Sequence, residues 1–313
     1  MQDTHNTLME FIDTHAHLYD EAFANEEDSA VERALEAGVK RMILPDIDST
    51  TRDAMFDLAA RHEGVLFPCL GLHPTSVGEG WEKEMSLLEG YLSRKIKAIG
   101  EIGMDCYWSR EFVKEQQEVF RTQLEMADRL DLPVIIHSRE STELIINILK
   151  DCKHLSLKGV FHAYSGSVET FRELQKLGDW YIGIGGVLTY KKASIADTVK
   201  QIPLERILLE TDSPYLTPAP HRGKRNESSY IPFIAKKLAE ERGLPTEGQE
   251  MVDFYVVLNM VYTDYCKVAK EHGVDTEDYY ADLAEAWLYD RDAKPPTEKL
   301  MAYHKYVIPR GEE

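Results

Sequence analysis

Positive charge is scarce in this chain: 36 Lys and Arg stand against 55 Asp and Glu among 313 residues, a formal net charge of −19. That background field excludes broad, non-specific attraction to nucleic acid, which relies on Lys and Arg neutralising phosphates. A locally basic pocket that meets one phosphate chain stays open. Long apolar runs are missing as well. None is long enough to cross a bilayer; the richest stretch, Met251–Ala269, is broken by Asp253, Asn259, Asp264 and Lys267. The first ten residues are polar and lack the apolar segment of a secretory signal. Cysteine is sparse: Cys69, Cys106, Cys152 and Cys266 are scattered, with no paired metal-ligand spacing. They read as reduced thiols of a cytoplasmic protein, some of them core residues. No Gly-rich loop follows the first apolar run, which argues against a doubly wound, phosphate-cradling sheet.

What is present is an ordinary hydrophobic content, 43%, in a chain long enough for a large core and a deep pocket. One barrel of about 250 residues with extra elements accommodates this length, as two small domains would. The order of short apolar runs favours the barrel. They fall at Glu10–Thr14, Arg41–Ile47, Leu66–Gly71, Ile96–Ile102, Leu132–His137, Lys158–Ala163, Trp180–Ile184 and Arg206–Thr211. Helical stretches lie between them, among them Asp28–Glu36 with Gly38 as its C-terminal stop, and Phe112–Leu130. Eight strands alternating with helices predict an α/β fold, a (β/α)8 TIM barrel. After Glu241 the pattern changes to an apolar helix, Met251–Ala269, and an amphipathic one presenting Tyr280, Leu283, Ala284, Trp287 and Leu288 on one face. The expected organisation is a barrel domain over 1–243, an extended helical C-terminal segment packed on it over 244–293, and a polar tail over 294–313.

Chemistry gathers at the strand ends. His15 and His17 close the first run, and alternate strand residues share a face, so both imidazoles can meet one cation. Alone, His-x-His is a weak motif. The fourth run, however, ends at Glu101, the fifth at His137, the sixth at His162, and Asp212 follows the eighth. In a barrel the carboxyl ends of all strands converge on one face, where active sites form. Four imidazoles and two carboxylates exceed the needs of one tetrahedral ion and suit two ions about 3.5–4 Å apart. Glu101 is the expected bridge; His15, His17 and Asp212 would complete one shell, His137 and His162 the other. Imidazole favours Zn, Mn, Fe or Ni, and Mg prefers oxygen, so the metal's identity stays open.

These residues in their contexts resemble the TatD family of metal-dependent deoxyribonucleases, within the amidohydrolase superfamily. The resemblance is carried by Phe11-Ile12-Asp13-Thr14-His15-Ala16-His17, Gly71-Leu72-His73-Pro74 and Gly100-Glu101-Ile102-Gly103-Met104-Asp105. It continues through Pro133-Val134-Ile135-Ile136-His137-Ser138-Arg139, His162-Ala163-Tyr164-Ser165-Gly166-Ser167, Glu210-Thr211-Asp212-Ser213-Pro214 and Pro220-His221-Arg222-Gly223-Lys224-Arg225-Asn226-Glu227. The resemblance implies a TIM barrel, divalent metals held by the six positions above, and hydrolysis of phosphodiester bonds in DNA, as a 3′–5′ exonuclease or an endonuclease. Two departures stand out. Ser228 occupies a position where the family has Pro, which implies a less rigid loop, and the region after Gly243 is longer and richer in aromatics than the family's short ending.

Phosphodiester hydrolysis follows from such a site because a hydroxide held between two cations is a strong nucleophile at neutral pH. Glu101 and Asp212 are the catalytic candidates: Asp212 either relays the proton of that hydroxide or serves as a ligand only. Substrate contacts are expected from Arg139, Arg222, His73, Asp105 and the Ser165-Gly166-Ser167 turn before a helix at Val168, with Lys191, Lys192, Lys224 and Arg225 as further cations. Tyr107 and Trp108 suit either base stacking or packing. DNA is therefore the expected partner, with no membrane or protein partner; the chain reads as a monomer, self-association through the C-terminal helices being the alternative. Two other functions are compatible with the motifs. One is an ester or amide hydrolase of the superfamily, such as a D-aminoacyl-tRNA deacylase-like activity, although many amidohydrolases bridge their metals with a modified lysine and this chain has Glu101. The other is a retired barrel used for binding, against which all six ligand positions remain.

Overall fold

The structure, a computed structural model, describes residues 10–244. The helical extension expected beyond residue 244 and the polar tail of 294–313 lie outside the described residues, as does Cys266.

Strands and helices alternate through the described chain: β1 (Phe11–Asp13), α1 (Glu27–Glu36), β2 (Val39–Leu44), α2 (Arg52–Arg61), β3 (Leu66–Pro68), α3 (Trp81–Glu89), β4 (Ile99–Asp105) and α4 (Val113–Leu130). They continue as β5 (Val134–Arg139), α5 (Thr142–Asp151), β6 (Lys158–Phe161), α6 (Val168–Leu174), β7 (Asp179–Ile184), α7 (Ile195–Val199), β8 (Ile207–Leu209) and α8 (Ile231–Arg242). Every strand pair is parallel, in two ladders, β1-β2-β3 and β4-β5-β6-β7-β8. The ladders join at both ends. Leu70 bridges Ile99, with the Gly100 N–H donating to the Leu70 carbonyl at 2.9 Å. Ala16 bridges Ser213, and the Asp212 N–H donates to the His15 carbonyl at 2.8 Å. The result is a closed (β/α)8 TIM barrel.

The helices cover the barrel by helical periodicity. α4 buries Gln116, Val119, Phe120, Gln123, Leu124 and Ala127, spaced three and four apart, and ends at Asp131 in the left-handed region (φ 52). Its two buried glutamines are fasteners. Gln123 takes the Leu72 N–H at 2.7 Å and returns a bond to the Leu72 carbonyl; Gln116 does the same for Asp105. The end of β4 and the loop after β3, both leading to the barrel mouth, are thus tied to one helix.

Strand limits differ from the apolar runs in places. β2 starts at Val39 and stops at Leu44, because Pro45 has no N–H to donate to the ladder. β4 and β5 run on to Asp105 and Arg139, which pair as Cα partners; residues expected in loops are the last residues of strands. Gly38 stands just past α1 with φ 90, as its C-terminal position requires.

The loop after β8 returns to α1 and carries the Ser228 departure. Arg33 grips Glu227 with two parallel bonds, Nε to Oε2 at 2.7 Å and Nη2 to Oε1 at 2.8 Å, and Arg225 adds a third at 3.0 Å. Ser228 itself is fully buried at the start of a short 3-10 turn, so the loop is anchored without Pro. Burial alone would raise the Glu227 carboxyl, but Arg33 and Arg225 hold it below the usual range. A carboxylate depressed in the folded state contributes stability above its unfolded pKa, and that contribution is lost as pH falls through the folded value. Glu227→Gln is expected to cost about 1 kcal/mol at pH 7, modest because Arg33 is partly solvated. A urea midpoint measured at pH 7 and again near pH 4 checks this. The difference from the parent should shrink at the lower pH, and equal midpoints at pH 7 would refute it.

Candidate metal centre

His15 and His17 lie just past β1, and their Nε2 atoms come within 3.1 Å of each other. Glu101 lies in the middle of β4, where the register with β5 shifts between Ile99 and Ile102. Such irregularities re-aim a side chain. The backbone around it is gripped from β2's side: the Asp46 N–H donates to the Gly100 carbonyl at 2.9 Å, and the Glu101 N–H to the Asp46 carbonyl at 3.1 Å. Asp212 follows β8 with φ 56, a left-handed conformation that Asp tolerates better than most residues. Its Oδ1 stands 3.7 Å from His15 Nε2 and 3.6 Å from His17 Nε2.

These atoms form a small polyhedron. Glu101 Oε2 is 3.0 Å from His15 Nε2 and 3.7 Å from His17 Nε2. A tetrahedral ion about 2.0–2.1 Å from each ligand separates the ligand atoms by about 3.4 Å. Five of the six edges among these atoms, 3.0 to 3.7 Å, match that spacing. The donor set, two imidazoles and two carboxylates, is also one that divalent transition metals accept.

The other carboxylate oxygen faces a second group. His137 Nδ1 is 2.8 Å from Glu101 Oε1, and His162 Nε2 is 3.7 Å from it and 4.0 Å from Asp212 Oδ1. The other five side chains expected at the mouth therefore gather around Glu101, the six coming from five strands or the residues just past them. His73 joins them, with Nε2 3.3 Å from Glu101 Oε1. Its Nδ1 accepts the Thr75 N–H at 3.1 Å, so the ring proton sits on Nε2 and donates to Glu101. In this tautomer His73 supports the carboxylate and does not offer a lone pair to a cation.

Burial sets the electrostatics. It would raise the Glu101 carboxyl, but His73, His15 and His162 hold it well below the usual carboxylate range. His15 is pushed well down by burial and by the neighbouring His162, and His17 falls to about 4 by burial. His162 moves the other way, to about 10: burial opposes the shift, and Glu210, Glu101 and Asp212 overcome it. Asp212 rises to about 7 through burial and the charge of Glu101 and Glu210.

Several supporting residues escaped the sequence reading. Glu210 places Oε1 3.1 Å from His162 Nδ1 and accepts the Ala163 N–H at 2.6 Å. Tyr19 meets His17 Nδ1 at 2.9 Å and donates to the Pro45 carbonyl. Asp13, fully buried, takes the Thr211 N–H and hydroxyl and the His15 N–H, tying β1 to β8 beneath the cluster. Asn226 donates to the carbonyls of Thr211 and Tyr215, flanking Asp212. Metal-binding histidines usually carry such partners on their second nitrogen.

The expected substrate contacts divide. Asp105 has both oxygens engaged: Oδ2 with His137 Nε2 at 3.0 Å, Oδ1 with the Tyr107 and Trp108 N–H groups. It orients His137. Ser167 Oγ accepts the Thr170 N–H as the N-cap of α6, and Ser165 is exposed beside it. Arg139 lies over the rings of Tyr107 and Trp108, and Arg222 over Tyr190. Arg225, grouped in sequence with the phosphate-facing cations, pairs with Glu26 and Glu227 and serves the fold.

A family model described as TatD related DNase matches residues 12–253, and a second model, described as a domain of unknown function, matches residues 226–307. An uncharacterized metal-dependent hydrolase of Bacillus subtilis, YabD, is 37% identical over 242 residues, covering 75% of this chain and 92% of that protein. Another uncharacterized metal-dependent hydrolase, YjjV of Escherichia coli, is 33% identical over 261 residues, covering 82% and 98%. Its crystal structure, described as that of a TatD homolog, superposes with a TM-score of 0.71 at 28% identity over 82% of this chain and 99% of that one. A TatD family hydrolase from Entamoeba histolytica superposes with a TM-score of 0.67 at 26% identity, covering 81% and 96%.

Proposed function

This chain belongs to the TatD-related DNase family and is a metal-dependent hydrolase, and on that premise we propose that it cleaves phosphodiester bonds in DNA at two divalent cations held by His15, His17, Glu101, His137, His162 and Asp212. The observation that carries this reading is the division of labour at Glu101. One of its oxygens faces His15 and His17, and the other faces His137 and His162. A carboxylate so placed would serve two cations, and the four imidazoles would complete their shells. Bound cations there would lower the pKa of water and draw charge from phosphoryl oxygens.

The chain's own groups do the rest. Asp212 Oδ1 lies within 4.0 Å of His15, His17 and His162, so it spans both halves of the cluster and is positioned to orient the attacking water and accept its proton. His73, through its Nε2 proton, holds the Glu101 carboxylate in place. Asp105 and Glu210 fix the ring planes of His137 and His162. Arg139 and Arg222 supply local positive charge for the phosphate chain in an otherwise acidic protein.

The test is a side-by-side assay of the enzyme reconstituted with Zn, Mn, Ni, Fe or Mg in turn, on single-stranded DNA, duplex DNA, RNA and aminoacyl esters. DNA cleavage that disappears with chelator and returns with metal is the expected outcome. Turnover of aminoacyl esters with DNA untouched would replace the phosphodiester reading by an ester-hydrolase one.

A further inference from the structure

Exposed apolar side chains are not spread evenly over the described residues. Tyr107, Trp108, Val187, Tyr215 and Leu216 all follow β4, β7 or β8, at the mouth of the barrel. Single exposed apolar residues need no explanation, but their concentration around a catalytic face does. Two of them stand apart. Trp108 is 70% exposed and Tyr107 50%, directly after β4. Their rings meet edge to face at 81°, with centroids 5.0 Å apart. The Arg139 guanidinium lies 3.7 Å from the Tyr107 centroid and 5.2 Å from that of Trp108.

This pair is held in register with the metal cluster. The Tyr107 and Trp108 N–H groups donate to Asp105 Oδ1 at 2.9 and 3.3 Å, while Asp105 Oδ2 meets His137 Nε2 at 3.0 Å. One buried carboxylate therefore sets both the ring of a candidate ligand and the turn that presents the aromatics. Packing does not explain an indole left mostly in water on a turn so firmly tied. A flat, planar ligand does: an indole face, a phenol and a cation form a surface on which a base stacks whatever its hydrogen-bonding edge.

We infer that Tyr107, Trp108 and Arg139 form a stacking platform for an unpaired nucleobase beside the phosphodiester that is cut. Arg139 orders Tyr107 by lying on one of its faces, and Trp108 offers the open face to the base. The inference rests on the phosphodiester reading and narrows it. A base must leave its duplex neighbours to reach Trp108, so the platform takes a base only once it is unpaired.

Two oligonucleotides separate the possibilities, one with natural bases throughout and one with abasic residues at both ends. The metal-loaded enzyme should prefer the natural ends by about 10-fold in kcat/KM, a typical effect of one stacked base. Trp108→Ala should bring that ratio close to 1 through a rise in KM for the natural strand, and Trp108→Phe should restore most of it. An undiminished preference in Trp108→Ala, or no preference in the parent enzyme, overturns the platform while phosphodiester cleavage itself stands. If the parent cleaves neither strand, the phosphodiester reading falls and takes the platform with it.

Discussion

Glu101→Gln is expected to lower kcat/KM by about a thousand-fold or more, and to leave the barrel folded. Glutamine keeps the shape of the side chain but replaces one oxygen with an NH2 group, which donates where a cation needs a lone pair. Both Glu101 oxygens are engaged, Oε2 toward His15 and His17, Oε1 toward His137, His162 and His73. No orientation of an amide satisfies both groups. The substitution also removes the one negative charge common to all five imidazoles, so cations lose electrostatic compensation as well as a ligand atom. Losing a supporting partner alone usually weakens a metal site 10- to 100-fold, about a factor that a bridging ligand should exceed. Metal content by elemental analysis and steady-state kinetics, read together with a thermal melt, check the prediction. A variant that keeps full metal content and near-parental rates would show that Glu101 bridges nothing.

Much of this site was legible because a barrel turns sequence position into spatial position. Once eight apolar runs alternate with helices, every residue at the carboxyl end of a run belongs to one face, and metal-binding residue types at those ends become neighbours. What the sequence hid are relations between side chains on different strands. Arg225 looked like its neighbours Arg222 and Lys224, and only the approach of α1 to the loop after β8 shows that Glu26 and Glu227 consume it. Asp105 and Arg139 looked like loop residues because they follow the apolar runs, yet the β4–β5 ladder extends to pair them. His73 carried no sign of which nitrogen holds its proton; Thr75, two residues on, decides it.

Glu210 shows the same limit and leads to the second large effect. It alternates with Asp212, a hint that both serve one site, but its partner His162 lies 48 residues earlier and nothing in the sequence pairs them. The space it occupies is made by another strand: a Cβ at Gly183, on β7, would overlap the Glu210 carboxylate. Gly183→Ala should therefore act at a distance, displacing Glu210 and freeing the His162 ring, with the same direction as Glu210→Ala. Both are expected to weaken metal binding in the half of the site that His162 serves by about 10- to 100-fold. The half built on His15 and His17 should change less, because Glu210 makes none of the edges of that tetrahedron and reaches it through the His15 ring, stacked on His162 with centroids 3.6 Å apart. Metal titration of activity should thus separate into two phases in the variants. Glu210→Gln distinguishes charge from contact: its amide keeps a polar oxygen beside His162 Nδ1, 3.1 Å away in the parent, so a loss as large as that of Glu210→Ala assigns the effect to the missing charge. Parental titration curves in Gly183→Ala and Glu210→Ala alike would mean that His162 needs no partner on its second nitrogen, and that the contact across β7 is packing alone.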